Sequence, residues 1–506
     1  MQPGLTERIA TVVQLSPPAN ALEFKGTWYS WKDVSSTMAQ LESLLLSAGQ
    51  KQGAPIGVLL RNRPAHVACV MQLLSSRRCV VSINPFQSPE KVAADIKKLN
   101  LPVLVADTDD WAQPAIQQAA AETGAALFQI SQQETLSVEA INGHQQPTGQ
   151  NHHEPLPDTC ILMLTSGTTG PAKRIKLPYK SFAISLMGVP GHYSSHNEQD
   201  EVALKSTPAV LTTPLVHIGG MYAAMAAITS ARPIVILEKF SVDEMRRTLQ
   251  AYQPKLVALP PTAIRMIYDA DVPKEDLSCL LAIRMGSAPM PSDLHESFEA
   301  KYGVPLLDSY GATEFAGAVA GWTIQDHRKF GSTKRGSVGR VQPGVEMRIV
   351  DPDSGEELSH STPGLLEVKT SQIGHSDWTR TTDLAEIDED GFLYIRGRSD
   401  DAIIRGGFKI IPADVVTILR KHEAIKYACV VGIPDQRLGA VPVAAIQLQP
   451  GFSDINLDDL KLYLREHLTS YQIPVAFKIL PEMPRTPSMK ISKHDVTQLF
   501  LNERAQ

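Results

Sequence analysis

The stretch LTSGTTGPAKR, at residues 164–174, places threonine, serine and glycine residues in an unbroken row. It follows the aliphatic segment TCILMLT (159–165), which is typical of a buried strand, and precedes KSFAISLMG (180–188), which is typical of a helix. A glycine-rich loop between a strand and a helix exposes backbone N–H groups that bind phosphate oxygens. The stretch therefore predicts a phosphate-binding loop in an α/β fold, with a solvated turn as the alternative.

The spacing within this loop excludes a Walker A motif. That motif requires a lysine, and then serine or threonine, directly after its last glycine. Here two residues separate Gly170 from Lys173, and Arg174 stands where the Mg²⁺-binding hydroxyl belongs. The spacing therefore argues against a P-loop phosphotransferase, which would release ADP.

Length and composition indicate a multidomain enzyme. The chain has 506 residues, a net charge of −6 and 43% hydrophobic residues, and single cores stop growing at about 250–300 residues. The acidic excess argues against a nucleic-acid partner, and the five cysteines form no CxxC pair. The N-terminal residues lack the apolar core of a secretory signal, and no apolar run is long enough for a membrane span. We therefore expect a cytoplasmic protein.

Strand-like and helix-like segments alternate in the N-terminal part of the chain. Apolar residues recur at helical spacing in 31–49 and 65–76, and aliphatic strands are predicted at 54–62, 79–85 and 101–107. Strands separated by helices of this length predict a parallel sheet with crossover helices.

A second series of predicted strands follows at 232–240, 255–261, 282–290 and 305–314. After about residue 330, short β-like pieces rich in glycine dominate, and a smaller α/β unit begins near residue 400. The pattern thus predicts an α/β fold with a β-rich part and a small C-terminal unit.

The segment YGATE (310–314) combines residue types suited to nucleotide chemistry. Its aromatic ring can stack on a base, and Thr313 can bond a phosphate oxygen. Glu314 supplies a hard oxygen ligand for Mg²⁺, which usually binds one or two protein carboxylates. A tyrosine packed in the core and a solvated glutamate are the alternatives for this segment taken alone.

Two later segments add charged candidates. The segment 381–401 contains Asp383, a candidate ligand for ribose hydroxyls, and Arg398. PRTPSMKISK (484–493) places Lys490 in a loop near the C-terminus. Each residue alone has an ordinary interpretation as a solvated surface charge.

Taken in their order along the chain, these motifs resemble those of the adenylate-forming superfamily: acyl-CoA and aryl-CoA synthetases, nonribosomal-peptide adenylation domains and beetle luciferases. The resemblance runs from SWKDV near the N-terminus to Lys490. In this family a carboxylate attacks the α-phosphate of ATP to give an acyl-adenylate and pyrophosphate, and a thiol, often coenzyme A, then displaces AMP. The resemblance implies an acid–thiol ligase that is most similar to the acyl- or aryl-CoA ligases.

The resemblance also implies an architecture. A large N-terminal domain (1–399), built of parallel-sheet α/β subdomains plus a β-rich part, binds ATP and the acyl substrate. A small mobile α/β lid domain (400–506) carries the catalytic lysine. Rotation about Asp400, the family's hinge position, exchanges Lys490 for the segment around Gly406, so that one cleft serves both half-reactions.

Matching positions assign the nucleotide site. The implied catalytic residues are Lys490, Thr313 and Glu314, and Glu314 is the Mg²⁺ ligand. The residues implied to bind ATP or coenzyme A are Thr165, Ser166, Gly167, Thr168, Thr169, Gly170, Lys173, Ser287, Ala288, Pro289, Ser309, Tyr310, Gly311, Asp383, Arg398, Gly406, Gly407 and Phe408. The last three of these resemble the segment that lines the pantetheine channel.

The chain departs from the family's pattern at Pro171-Ala172, where the family more often has any residue and then proline, and at four further positions. Arg174 stands where glycine is preferred, and Thr382 also replaces a glycine. Asp414 replaces a glutamate. Met489 replaces the glycine that usually precedes the catalytic lysine, here Lys490, so we expect it to stiffen the loop or press on the substrate.

The segment TPLVHIGGMYAAM (213–225) lies where the family places the acyl pocket. The implied pocket residues are His217, Ile218, Gly219, Met221, Gly286 and Ala312. Small residues leave room for an apolar acid, and methionine adapts its shape, although a helix packed through small residues accounts for the pattern equally well. The segment has no aspartate to hold the ammonium group of an amino acid, which favours a fatty or aromatic carboxylic acid.

The expected cofactors and partners are ATP, Mg²⁺, coenzyme A and a small-molecule carboxylic acid, for a monomer or homodimer. Coenzyme A is the preferred acceptor because no carrier domain with its serine motif is appended. The alternatives are a stand-alone enzyme that loads a separate acyl or peptidyl carrier protein, a light-emitting relative, and a catalytically silent nucleotide-binding relative.

Overall fold

The described part of the chain forms two compact units. The computed structural model describes residues 4–148, 153–164, 174–187, 202–286, 288–370, 372, 377–486 and 490–504. The first unit holds the described residues up to 345, with 370 and 372, and the second holds 346–369 and the described residues from 377 onward. The domain boundary predicted at 399/400 stays a prediction.

The first unit alternates strands and helices. Its strands are β1 (Asn20–Phe24), β2 (Thr27–Ser30), β3 (Pro55–Leu59), β4 (Cys79–Ile83), β5 (Val103–Asp107), β6 (Ala126–Gln132), β7 (Leu136–Ala140), β8 (Thr159–Leu164), β9 (Arg174–Pro178), β10 (Ala209–Leu211), β11 (Ile234–Ile236), β12 (Leu256–Ala258), β13 (Ala282–Met285), β14 (Leu306–Ala312), β15 (Gly317–Gly321) and β16 (Arg340–Val341). Its helices are α1 (Leu5–Leu15), α2 (Trp31–Ser47), α3 (Pro64–Ser75), α4 (Pro89–Leu99), α5 (Thr108–Trp111), α6 (Pro114–Thr123), α7 (Tyr179–Met187), α8 (Ile218–Thr229), α9 (Val242–Tyr252), α10 (Pro261–Asp269), α11 (Lys274–Leu277), α12 (Ser292–Tyr302) and α13 (Ile324–Phe330).

A seven-stranded sheet with the order β7-β6-β5-β3-β4-β8-β9 forms the centre of this unit. The five central strands of this order, β6, β5, β3, β4 and β8, pair in parallel. The edge strands β7 and β9 pair antiparallel with their neighbours. Every residue of β3, β4 and β5 is buried, because helices cover both faces of the sheet. The predicted α/β fold class is confirmed. The antiparallel strands at the two edges were not part of the predicted parallel sheet. One of them, β7, returns from β6 through the short turn at 133–135.

Two further sheets complete the first unit. Strands β12, β13 and β14 pair in parallel, and β15 and β16 extend that sheet antiparallel. Strand β11 lies apart from them, in a sheet with the order β10-β11-β1-β2. The sequence predicted 232–240 and 255–261 as one series, because spacing along the chain does not specify which sheet a strand joins.

The second unit combines two sheets with three helices among its described residues. Its strands are β17 (Val345–Val350), β18 (Gly364–Thr370), β19 (Thr379–Ile387), β20 (Leu393–Arg398), β21 (Ile403–Arg405), β22 (Phe408–Ile410), β23 (Ile425–Asp435), β24 (Gly439–Leu448) and β25 (Phe477–Ile479), and its helices are α14 (Pro412–Lys421), α15 (Leu457–His467) and α16 (Lys493–Arg504). One sheet has the order β17-β18-β19-β20, and the other has the order β22-β21-β24-β23, with β25 beside β24. Helices α14 and α15 pack on the second sheet through buried residues such as Leu419 and Leu464.

The dipeptide Asp390-Gly391 is of a type common in hairpin turns. It lies between β19 and β20, where Gly391 has a φ of +79°. Within the described residues, no helix combines the length and apolar character needed to cross a lipid bilayer.

Candidate functional site

The carboxyl-terminal end of β14 carries Ser309, Tyr310, Gly311 and Ala312. Ligands of α/β sheets bind beyond the carboxyl ends of parallel strands, so these residues lie where a ligand is expected. A Cβ atom at Gly311 would lie 2.3 Å from the carbonyl oxygen of Gly317 on β15. Glycine is therefore required for the close approach of the two strands at this edge.

A 3₁₀ turn, Thr313–Phe315, follows β14 directly. The ring of Phe315 is 2% exposed and holds the turn in the core, whereas Glu314 is exposed. The N–H of Ala316 donates to the carbonyl of Thr313 at 3.0 Å and closes the turn. The arrangement leaves the Glu314 carboxylate accessible to a cation or to a ligand.

The segment after β13, which contains residues of the predicted nucleotide site, lies beside β14. The hydroxyl of Ser309 donates to the carbonyl of Met285 at 2.7 Å, and a Cβ atom at Gly286 would lie 3.0 Å from that hydroxyl oxygen. Ala288 is partly buried and Pro289 is exposed next to this contact. Ser287 lies outside the described residues.

The predicted phosphate-binding residues Thr165, Ser166, Gly167, Thr168, Thr169, Gly170 and Lys173 lie outside the described residues. The two residues that flank them are paired, Leu164 on β8 with Arg174 on β9. The Arg174 guanidinium donates to the carbonyl of Ser82 at 2.8 Å and forms an ion pair with Asp95. This departure from the family's glycine therefore anchors β9 to β4 and α4.

The predicted acyl-pocket segment forms the start of α8. His217 occupies the N-cap position, and Ile218 and Gly219 open the helix. A Cβ atom at Gly220 would lie 2.2 Å from the carbonyl oxygen of Pro214, so glycine is required there. Met221 is fully buried in the main core cluster. Its assignment to the acyl pocket stays a prediction.

Two side chains that the sequence analysis missed connect this helix to the turn after β14. The Tyr222 hydroxyl donates to the carbonyl of Ser185 on α7 at 3.2 Å. The Ser185 hydroxyl donates in turn to the carbonyl of Ala316 at 3.0 Å. A Cβ atom at Gly317 would lie 3.2 Å from the Tyr222 ring. The sequence carries no signal for this contact, because the residues come from three separate segments.

Asp308 of β14 belongs to a group of ionisable side chains that also involves α12 and α13. Asp308, which directly precedes Ser309, lies 3.9 Å from Nε2 of His295 on α12. Burial, with the negative charge of Glu299, raises the pKa of Asp308 to about 7. His327 contacts Glu299 through Nε2 at 2.8 Å. Within the described ranges, no group of three or more histidine, cysteine or acidic residues has a metal-binding arrangement.

In the second unit, the structure brings three predicted site residues together. Asp383 on β19 pairs with Arg398 on β20 in the antiparallel register. The Arg398 guanidinium donates two hydrogen bonds to Asp400, with Nε–Oδ1 at 2.8 Å and Nη2–Oδ2 at 2.7 Å. This hydrogen-bonded pair raises the pKa of Arg398 and lowers that of Asp400. The predicted hinge residue, Asp400, thus accepts hydrogen bonds from Arg398, which is predicted to bind ribose.

Lys490 belongs to the same group of charges. Burial, and then the positive charge of Arg398, lowers the pKa of Lys490 below its ordinary value. The N–H of Thr486 donates to the Lys490 carbonyl at 2.8 Å, and Lys493 pairs with Asp401 at 2.5 Å. These contacts hold the segment on either side of the lysine, while Met489 lies outside the described residues.

The remaining predicted residues of this unit form the hairpin between β21 and β22. Gly406 and Gly407 have φ values of +55° and +89°, which suit the mirror-image turns of two-residue hairpins. Phe408 follows them and is 56% exposed. Its ring stacks on Tyr471, which the sequence analysis did not single out.

Comparison with protein families shows two matches. The family described as "AMP-binding enzyme" matches residues 9–375, and the family described as "AMP-binding enzyme C-terminal domain" matches residues 415–490. Among curated proteins, the chain is 26% identical to peroxisomal OPC-8:0-CoA ligase 1 of Arabidopsis thaliana, covering 94% of this chain and 88% of that protein. It is also 26% identical to 2-succinylbenzoate–CoA ligase of Bacillus velezensis, covering 97% of both chains.

Solved structures show the same fold at lower identity. ATP-bound MatB from Rhodopseudomonas palustris superposes with a TM-score of 0.82 at 20% identity, over 99% of both chains. The o-succinylbenzoate CoA synthetase MenE from Bacillus subtilis, in complex with the acyl-adenylate OSB-AMP, gives a TM-score of 0.74 at 22% identity, over 98% of both chains.

Proposed function

The chain belongs to the family of AMP-binding enzymes, and from that premise we propose that it is an ATP-dependent carboxylate–CoA ligase. The observation that supports this most directly is the grouping of Asp383, Arg398 and Lys490 in the second unit. A cation held half-buried beside a second cation has a free-energy cost, and groups with such perturbed pKa values are concentrated at functional sites.

The proposed reaction has two steps. A carboxylate oxygen of the acid attacks the α-phosphorus of ATP, a P–O bond forms, and pyrophosphate leaves with the electron pair of the broken bond. The sulfur of coenzyme A then attacks the acyl carbon, AMP leaves with the electron pair of the C–O bond, and the thiol proton passes to solvent. The first step needs no general base, because a carboxylic acid is already ionised at neutral pH.

Charged groups of the second unit stabilise the first step. Negative charge grows on the phosphate oxygens as the α-phosphorus becomes pentacoordinate, and cations placed where charge develops are the largest class of catalytic effect. Lys490 would contact the incoming carboxylate and the α-phosphate. Asp383 and Arg398 would bind the ribose, so that Arg398 exchanges its bond to Asp400 for one to the nucleotide.

The first unit supplies the remaining contacts with ATP. Tyr310 would lie against adenine, and Thr313 would bond a phosphate oxygen. The donor set fits Mg²⁺, since Glu314 is an accessible carboxylate on a turn held by a buried ring, and Mg²⁺ favours one carboxylate together with phosphate oxygens. Bound there, Mg²⁺ would neutralise charge on the phosphates.

The second step uses a different segment of the second unit. The hairpin at Gly406, Gly407 and Phe408 would line the channel for the pantetheine arm of coenzyme A. We place the hinge between residues 1–399 and 400–506 at Asp400. Both relatives described above are named as CoA ligases, which supports coenzyme A over a carrier protein.

A fatty or aromatic acid is the proposed substrate class. The proposed pocket comprises His217, Ile218, Gly219, Met221, Gly286 and Ala312. Most of these residues are small or apolar, which suits an apolar acid.

The test is carboxylate-dependent exchange of labelled pyrophosphate into ATP, with octanoate, palmitate, benzoate, 4-coumarate and phenylalanine as the acids. We expect exchange with at least one fatty or aromatic acid, and thioester formation when coenzyme A is added. Exchange without thioester formation would favour a carrier-protein acceptor. ATP binding without exchange for any acid would favour a silent nucleotide-binding protein, and release of ADP would contradict the proposal outright.

A further inference from the structure

The hairpin between β21 and β22 is held from one side by the segment 469–475. Arg405, the last residue of β21, pairs with Phe408, the first residue of β22. The Arg405 guanidinium donates to the carbonyl of Tyr471 at 2.7 Å and to that of Ile473 at 3.4 Å. One side chain thus joins the base of the hairpin to two backbone groups of a distant segment.

The tip of the hairpin has a second anchor. The N–H of Gly406 donates to the carbonyl of Leu438 at 2.8 Å. A Cβ atom at Gly406 would lie 3.1 Å from the Leu438 side chain. The turn that presents Leu438 is itself held by Asp435, whose carboxylate accepts from the N–H groups of Arg437 and Leu438.

The Phe408 ring is oriented by Tyr471. The two rings are 4.6 Å apart between centroids with 16° between their planes, which is a stacked pair. Phe408 is 56% exposed, so burial contributes little to its orientation. Tyr471 is partly buried and packs against the core cluster of the second unit. The partly buried Tyr471 ring therefore supports the exposed Phe408 ring.

We propose that Tyr471 is a positioning residue for the thiol half-reaction: its ring holds Phe408 in the orientation that receives coenzyme A. The inference rests on the proposed function, which assigns the hairpin to the pantetheine arm. That arm is a thin chain of methylene and amide groups, which packs well on an aromatic face. A ring already fixed before binding loses less conformational entropy when the arm binds.

The stack with Tyr471 and the contacts that hold the catalytic lysine involve different residues. Lys490 is held through the Thr486–Lys490 hydrogen bond and the Lys493–Asp401 ion pair. Loss of the stack is therefore expected to weaken the binding of coenzyme A and to leave the attack of the acid on ATP unchanged.

The experiment compares three variants of the full chain: Tyr471→Leu, Tyr471→Phe and Tyr463→Leu. Tyr463 is the matched control, because it also packs against the same core cluster, but its ring contacts His422 edge to face and His467 at a tilt instead of the hairpin. The readouts are the KM for coenzyme A, the kcat of thioester formation, and pyrophosphate exchange, with the acid that gives the fastest exchange.

We expect Tyr471→Leu to raise the KM for coenzyme A by about threefold to tenfold, the size expected for one aromatic pair. Exchange stays at the wild-type rate in this variant. Tyr471→Phe keeps the ring and therefore keeps the wild-type KM. Any effect of Tyr463→Leu is expected to be equal on thioester formation and on pyrophosphate exchange.

Four outcomes would overturn the inference. An unchanged KM in Tyr471→Leu means that the ring positions nothing. Equal losses of exchange and thioester formation mean that Tyr471 has only a structural role. A defect in Tyr471→Phe as large as that in Tyr471→Leu assigns the effect to the hydroxyl group. If the wild-type chain exchanges pyrophosphate but forms no thioester, the proposed acceptor and the positioning role both fail, whereas thioester formation with an unchanged KM removes the positioning role alone.

Discussion

Lys490 and Phe408 belong to the same unit and to segments proposed for successive half-reactions, yet their surroundings are opposite. The lysine is partly buried beside Arg398, whereas the phenylalanine is 56% exposed on a hairpin tip. A charge normally lies in water and an aromatic ring normally lies in the core. Burial of the lysine charge therefore costs stability, and such costs are typical of sites shaped by function.

The two sites are also held in different ways. Lys490 is affected by burial and by the positive charge of Arg398, which is itself bound by Asp400. The hairpin depends on backbone conformation, since Gly406 and Gly407 both have positive φ. From this difference we expect the first proposed half-reaction to depend on electrostatics and the second on shape. The following predictions test that division, beginning with the largest effect.

Replacement of the lysine gives the largest expected effect. We expect Lys490→Ala to lower pyrophosphate exchange by about 10²–10³, the scale for loss of one group that stabilises developing negative charge. Thioester formation from supplied acyl-adenylate falls much less, because the phosphate bond is already broken. Lys461→Ala, on the exposed face of α15, is the control. Equal losses in both half-reactions would contradict the division.

Distortion of the hairpin acts on the other half-reaction. Gly407 has a φ of +89°, and a β-branched residue there is strained by about 1–2 kcal/mol or more. We expect Gly407→Val to lower single-turnover thioester formation about tenfold and to lower exchange less. Gly451→Val is the matched control, because Gly451 also has a positive φ, +98°, and open space around its Cβ position. A larger loss in exchange would refute this assignment.

The two half-reactions are expected to respond to pH in opposite directions. The pKa of Lys490 is lowered by burial and by Arg398, so its ammonium loses its proton below the ordinary lysine range. Exchange therefore declines as pH rises toward the ordinary lysine range, while thiolysis rises because the thiolate is the nucleophile, and the ratio of the two rates changes by about tenfold.

The control for this pH profile is Lys490→Arg. Its exchange rate at each pH is expressed relative to the highest rate of the same variant. An arginine keeps its charge across the range, so its exchange profile is expected to stay flat. A wild-type profile that also stays flat up to the ordinary lysine pKa would show that the lysine is not the titrating group.

The smallest expected effect concerns stability. Removal of a half-buried charge relieves its desolvation and its repulsion from Arg398, so Lys490→Met is expected to stabilise the second unit by about 1 kcal/mol at neutral pH. Phe408→Ser changes stability by less than about 0.5 kcal/mol, since the ring is mostly exposed. Hydrogen exchange of the buried amides in β23 and β24 measures both changes within this unit. Destabilisation by Lys490→Met would show that the lysine makes stabilising contacts instead.

Much of the local structure follows from the sequence. The runs at 54–62, 79–85 and 101–107 form parallel strands because aliphatic residues with helices between them can bury both faces only in that arrangement. Gly391 marks a turn, since its backbone conformation favours glycine. The order of the motifs along the chain also predicted the family that the comparison confirms.

Only the tertiary structure showed which of these residues meet. The stack of Phe408 on Tyr471, the bond from Ser185 to Ala316 and the charges around Asp308 each join segments that are separate in sequence. The shift in the pKa of Lys490 likewise depends on burial and on Arg398. Local propensities act over a few residues and can be read from the chain, whereas contacts and electrostatic shifts depend on distances that exist only after the segments have packed together.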